Sequence, residues 1–194
     1  YLNDDGTLVE PEYYVPIIPL ILVNGSKGIG TGFSTDIPSY NPLDVITYIE
    51  RELSGEEHGG ELVPYYKGFK GTITKEDTHQ YMSHGKYSLS GTKLSITELP
   101  IHTWTDDYKK FLEKCIVDGK IKDYNDMSTD TDVTFDITLK ATLSTEQVEK
   151  EFKLKSTIST TNLHLFNQDD TLIKYDSADD ICDDFIKVRL DYYE

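Results

Sequence analysis

Apolar and polar positions along the chain switch between two periods, and most of the elements follow from where the period changes. Residues 15–23, "VPIIPLILV", form an apolar run too short for most helices and interrupted by Pro16 and Pro19, which predicts a buried or edge strand leading into a glycine-rich loop. In "YNPLDVITYIEREL", Val45, Ile46, Ile49 and Leu53 repeat at helical spacing behind an Asn41 N-cap and a Pro42 at the first helical position. Gly55 supplies the left-handed stop. "EEHGGEL" reads as a polar turn. From residue 65 to 100 polar residues alternate with β-branched or aromatic ones, broken by Gly71, Gly85 and Gly91, the pattern of antiparallel strands with short turns.

The second half continues in the same manner. "TWTDDYKKFLEKCIVDGK" predicts a helix capped by Thr105, with Asp106 and Asp107 at the positive end of its dipole and Gly119 as its stop. Tyr108, Phe111, Leu112, Cys115 and Ile116 share one face. "DVTFDITL" alternates as a strand, and "STEQVEKEF" opens on a capping box between Ser144 and Gln147. "TNLHLFN" and "TLIKYDS" are two strands joined through Gln168, Asp169 and Asp170. Ser177 caps a last helix whose stripe, Ile181, Phe185, Val188 and Tyr192, runs to the end of the chain. The expected class is α+β, with antiparallel strands and three or four packed helices.

Composition narrows the function. No apolar run approaches the ~20 residues that span a bilayer, so no membrane partner is expected. The opening residues carry no signal-peptide pattern and no initiator Met, and the last helix meets neither Gly nor Pro. The chain is therefore expected to be a piece of a longer protein. Cys115 and Cys182 are far apart and predict two buried thiols rather than a disulfide, in keeping with a reducing compartment. His58, His79, His84, His102 and His164 show neither triad nor metal spacing and are expected to be surface or structural. A net charge of −16 argues against non-specific binding of nucleic acid by the whole surface. Residues 61–100 are closer to neutral, with Lys67, Lys70, Lys75, Lys86 and Lys93, so a polyanion would meet the chain there and at Lys27. The acidic clusters near the two ends read as solvated faces.

The loop "NGSKGIGTGFST" raises the sharpest question. Gly25, Gly28, Gly30 and Gly32 with Lys27 suit a polyanion, yet Ile29 stands at the centre. A phosphate-binding P-loop needs Gly-Lys-Ser/Thr entering a helix, and a dinucleotide fingerprint needs GxGxxG in a βαβ unit. The loop has neither. Two readings remain. In one, the glycines only permit a tight turn and Ile29 plugs the core. In the other, Ile29 is an apolar wedge that enters a base step, with glycines and Lys27 close to phosphates. Spacing alone does not choose between them.

The stretch "EPEYYVPIIPLILVNGSKGIGTGFSTDIPSYNP" resembles the signature of eukaryotic-type type IIA DNA topoisomerases. "YYKGFKGTI", "ITELPIHTWTDDYKKFLE", "STDTDVTFDI", "FKLKSTISTTNLHLF" and "LIKYDSADDICDDFIKVRLDYY" continue it in family order over essentially the whole chain. The resemblance implies the tower region of the breakage-reunion core. Residues 1–40 would be the strand and DNA-bending loop entering the tower, 41–176 the tower body, and 177–194 the start of the helix toward the coiled-coil exit gate. Ile29 matches the family's intercalating isoleucine and Trp104 its DNA-touching tryptophan; Lys27, Gly28 and Gly30 flank the first as DNA-binding positions.

The parent protein implied is a homodimeric enzyme acting on double-stranded DNA with ATP and Mg²⁺. Its catalytic tyrosine, metal-binding acids and ATPase module would lie outside these residues, so this stretch alone should be inactive and hold no cofactor. Relatives commonly carry Trp where Phe33 stands and Arg where His102 stands, which points to a divergent lineage. The source stays open between a eukaryotic cell, implying the nucleus, and a large DNA virus, implying host cytoplasm or a viral factory. A structural or protein-interaction module without DNA contact is the alternative, and a stand-alone DNA-binding module is a third reading that the charge disfavours.

Overall fold

The computed structural model describes residues 1–11, 14–56 and 60–193. It is an α+β fold, all of whose strand pairs are antiparallel. The chain packs as two compact units: residues 1–63 with 162–194, and residues 64–161.

The first unit begins with a small exposed hairpin, β1 (Asn3–Asp4) and β2 (Thr7–Leu8). The next apolar run is a correction to the expected strand: Leu20–Asn24 form a short helix, α1. Pro16 and Pro19 precede the helix instead of interrupting it, with Pro19 as N-cap and Gly25 as C-cap. A hairpin of β3 (Ser26–Ile29) and β4 (Ser34–Ile37) comes next, then α2 (Pro42–Ser54). The Asn41 side chain accepts the Leu43 N–H at 3.0 Å and Gly55 adopts the left-handed cap, both as the sequence implies. The buried stripe of α2 is Val45 and Tyr48, while Ile46 and Leu53 are exposed. A tyrosine ring takes the inner position because its hydroxyl finds a partner, Asp183 at 2.9 Å. The turn expected at "EEHGGEL" falls partly on residues 57–59, which lie outside the described residues, as does His58. Leu62, at its end, is buried in the core.

After the second unit the chain returns to the first. Strands β12 (Leu163–Phe166) and β13 (Leu172–Tyr175) form the predicted hairpin, and α5 (Ala178–Asp191) closes the unit on a Ser177–Asp180 capping box. The helix ends at Asp191, so Tyr192 caps it and is exposed instead of extending the apolar stripe. Leu22, Val45, Leu163 and Cys182 are all fully buried in this unit's core.

The carboxylates of α5 correct a second expectation. Asp179 accepts the Leu62 N–H at 3.0 Å, Asp183 the Tyr48 hydroxyl at 2.9 Å, and Asp184 the Tyr175 hydroxyl at 2.5 Å. They tie the helix to the rest of the unit and are not a solvated face. Burial, reinforced by these acceptors, holds both phenols well above their ordinary pKa. Asp4, Asp5 and Glu10 at the other end are exposed as expected, and Glu12 lies outside the described residues.

The second unit holds a three-stranded sheet in the order β11 (Lys155–Ser159), β6 (Gln80–His84), β5 (Thr72–Asp77). A four-stranded sheet runs β7 (Lys86–Ser90), β8 (Lys93–Glu98), β10 (Phe135–Leu139), β9 (Ile121–Asp126). Helices α3 (Thr105–Val117) and α4 (Thr145–Glu151) complete it. The capping box on α4 is formed, Ser144 N–H to Gln147 at 3.0 Å and Gln147 N–H to Ser144 at 3.3 Å. The N-cap of α3 is Trp104 rather than Thr105, so the helix begins one residue earlier than expected, directly after a turn in which Thr103 N–H donates to the Pro100 carbonyl at 3.1 Å. The face of α3 is buried through Tyr108, Leu112 and Cys115, with Ile116 left at its margin.

Candidate nucleic-acid interface

Strand alternation explains where Ile29 points. The hairpin pairs Lys27 with Asp36, Gly28 with Thr35 and Ile29 with Ser34. Side chains at alternate positions share a face. Ile37 is buried, and so defines the inner face; Lys27 and Ile29 stand on the other one. Ile29 is 94% exposed, next to the turn Gly30–Phe33. It is not a core plug. A one-residue slip in register would turn it inward, so the pairing that buries Ile37 is what holds Ile29 out.

The turn is braced from within the same unit. Gly30 N–H donates to the Phe33 carbonyl at 2.8 Å, and Gly32 takes the positive φ of 86° that the reversal needs. The Phe33 ring folds onto Gly30: a Cβ there would meet Cε1 and Cζ of the ring at 2.8 Å. Phe33 in turn meets Phe166 of β12 edge to face, with centroids 5.8 Å apart. Asn162 secures the returning strand, its carbonyl accepting Asp36 N–H at 2.9 Å and its amide donating to the Ser34 hydroxyl at 2.9 Å. Gly28 is different, since a Cβ at that position would meet nothing within 4 Å.

Charge at the hairpin is modest. Lys27 Nζ lies 3.1 Å from an Asp36 carboxylate oxygen, the lysine side chain largely and the aspartate about half exposed. An ion pair so exposed contributes little to stability, and Lys27 can exchange that carboxylate for a phosphate at small cost. The basic stretch expected at residues 61–100 is likewise partly spent inside the unit: Lys70 pairs with Asp132, and its N–H donates to Glu98 at 3.1 Å.

Trp104 belongs to the second unit. Its side chain is 71% exposed, at the start of α3, and it makes no side-chain cap. It is therefore not a ring of the core. Asp106 and Asp107 sit in the first turn of that helix, so their charges oppose a phosphate at the free N–H groups. The indole face is the more suitable contact there. His102, where the resemblance implies an arginine in relatives, sits at φ 65° with its ring edge-on to Tyr66, centroids 5.7 Å apart.

The structure thus gathers Lys27, Gly28, Ile29 and Gly30 on one hairpin and places Trp104 on a separate corner. Sequence reasoning missed the supporting residues Asn162 and Phe166, which lie over 120 positions along the chain from the hairpin. The signal within reach was the Phe33–Gly30 pair. Among the described residues no group of three or more His, Cys, Asp or Glu side chains could hold a metal ion, and no helix is long and apolar enough to cross a membrane.

Comparison with known proteins bears on what this arrangement serves. A family model described as that of the DNA gyrase/topoisomerase IV A subunit matches residues 1–194. DNA topoisomerase 2 of Pisum sativum is 46% identical over 212 residues, covering 100% of this chain and 14% of the pea protein. The mitochondrial DNA topoisomerase 2 of Dictyostelium discoideum is 41% identical, covering 100% of this chain and 15% of that protein. Among solved structures, the DNA-binding, cleavage and re-ligation domain of Plasmodium falciparum topoisomerase II superposes with a TM-score of 0.86 at 42% identity, over 100% of this chain and 27% of that one. The chain thus spans about one-seventh of the length of the curated relatives it matches.

Proposed function

The chain belongs to the family of DNA gyrase/topoisomerase IV A subunits and is homologous to the breakage-reunion region of eukaryotic-type topoisomerase II; on that premise we propose that it is the DNA-binding and DNA-bending tower segment of an ATP-dependent type IIA DNA topoisomerase. The parent enzyme, a homodimer using Mg²⁺, cleaves one duplex through paired tyrosines, passes a second through the gap and reseals the break. Residues 1–40 carry the bending loop, 41–176 the tower body, and 177–194 lead toward the exit gate. This division is by role along the chain, whereas the compact units follow packing.

The observation that carries the reading is the exposure of Ile29. An aliphatic side chain is held 94% exposed by a hairpin whose other face carries the buried Ile37. Leaving it in water gains nothing for the fold. Inserted between base pairs it would be buried, and the unstacking, a few kcal/mol per step, would be offset by contacts that a bent duplex permits. Gly28 leaves the hairpin's flank open to an approaching backbone. Trp104 offers its indole as a further contact, on the second unit.

Ile29→Ala in the parent enzyme tests this. Its melting transition should stay within about 0.5 kcal/mol of the wild type, as for an exposed position. Duplex bending, followed by end-to-end fluorescence transfer, should fall several-fold, and strand passage with it. Equal bending would overturn the reading. Unchanged bending with loss of a protein partner would favour a protein-interaction module instead. The source decides the compartment: the nucleus for a eukaryotic cell, the host cytoplasm or viral factory for a large DNA virus.

A further inference from the structure

Trp104 projects from a corner, residues 99–104, whose backbone is gripped by two serines of the three-stranded sheet. Ser83 on β6 is fully buried and faces Ser156 of β11 across the register. Their hydroxyl oxygens lie 2.7 Å apart. Ile101 N–H donates to Ser83 Oγ at 3.1 Å, and the Ser156 hydroxyl donates to the Ile101 carbonyl at 2.8 Å. The single Ser156 proton is thereby used, so Ser83 is the donor between the two hydroxyls. The three bonds form a closed ring that takes up both backbone polar groups of Ile101.

This ring fixes the geometry of the next two residues. With Ile101 held, His102 turns into the left-handed region at φ 65°, and Thr103 N–H returns to the Pro100 carbonyl at 3.1 Å. Gly85 lets the adjacent turn lie directly against the corner, since a Cβ there would meet the Glu98 carbonyl at 2.6 Å and Pro100 Cδ at 3.3 Å. The backbone ladder of β6 with β11 forms without either hydroxyl, and the further link the serines add between these strands is the Ser83 hydroxyl, 2.7 Å from Ser156 Oγ and 3.3 Å from the Ser156 carbonyl. A buried hydroxyl costs free energy unless it is bonded. The anchoring of Ile101 is what this pair supplies that alanine would not.

We infer that Ser83 and Ser156 are positioning residues for Trp104: they set the corner so that the indole is presented outward in one orientation. The consequence for DNA rests on the reading proposed above. The chain has one tryptophan, so its emission reports the corner directly. Ser156, half-buried on an edge strand, is the position to vary, because Ser83 is fully buried and its loss endangers the fold.

In the 194-residue chain, Ser156→Ala should give Trp104 a larger fast component in time-resolved anisotropy well below the melting transition. In the parent enzyme the same substitution should raise several-fold the concentration of a short DNA duplex needed for half-maximal binding. Ser156→Thr keeps the hydroxyl at a strand position that suits a β-branched residue and should restore both. A lowered melting temperature with unchanged anisotropy would overturn the inference, leaving the serines a structural role only. If the indole loosens in Ser156→Ala but duplex binding by the parent enzyme is unchanged, the positioning inference stands and the DNA reading at Trp104 fails.

Discussion

At the scale of single residues, the hairpin separates two kinds of glycine that look alike in the sequence. Gly30 is small because the Phe33 ring occupies the space beside it, and Gly28 has open space. Gly30→Ala should therefore displace Phe33 from its edge-to-face contact with Phe166 and lower both stability and bending. Gly28→Ala should leave the melting transition within roughly 0.5 kcal/mol of wild type while weakening duplex binding, because only a bound backbone would meet the new methyl group. Calorimetry and a duplex titration on the two variants distinguish these outcomes; equal behaviour would remove the distinction. The sequence supplied the glycines, Lys27 and Ile29 but left a core plug and a DNA wedge level, because a β-strand period of two assigns faces only once the register is known. Ile37, buried on the opposite face, provides it.

At the scale of elements, legibility followed the strength of the local signal. Asn41, Ser144 and Ser177 announced their helices because a cap is a local hydrogen bond written in neighbouring residues. Strands β9 and β11 carried no such mark. Both lie at sheet edges and expose most of their side chains, so their sequences have little apolar alternation. What holds β9 to α3 includes an ion pair, Lys109 to Asp126 at 2.6 Å. That bond to Lys109 keeps the Asp126 carboxyl low, at about 2.

The sign of the resulting pH effect follows from linkage. Below the ordinary aspartate value of about 3.9 the unfolded chain takes up a proton while the folded one does not, so stability falls with falling pH. The contribution is complete above that value and lost as pH drops through about 2. Glu149, held low first by its bond to Lys155, adds to the same slope. Asp126→Asn should flatten the acid limb between about pH 5 and about pH 2 in thermal melts followed by Trp104 fluorescence. An unaltered limb would assign the acid sensitivity elsewhere.

At the scale of the whole molecule, each compact unit has its own core and each core holds one cysteine. Cys182 is fully buried in the first and Cys115 nearly so in the second. Burial, with the nearby Asp183 and Asp179 charges, pushes the Cys182 thiol up to about 12, and burial likewise raises Cys115. The thiolate is the reactive form, so labelling at about pH 8 should be slow and limited by opening of the unit. Cys115→Ser leaves a probe of the first unit and Cys182→Ser a probe of the second. Two distinct opening rates are expected; labelling of either at the rate of a free thiol would contradict its burial. The α+β class was legible from periodicity, but the joining of residues 1–63 with 162–194 was not, because it rests on contacts such as Asp36 with Asn162 that no local pattern encodes.

That discontinuous first unit imposes an order of events during synthesis. Leu22 and Val45 leave the ribosome long before Leu163 and Cys182, against which their shared core is completed. At about 5–20 residues per second the intervening stretch takes roughly 5–20 s to make. The second unit, continuous in the chain, can fold within that interval, while the hairpin bearing Ile29 waits for Asn162 and Phe166. Ile29 is thus displayed in its fixed orientation only after the body that comes after it in the sequence has been built.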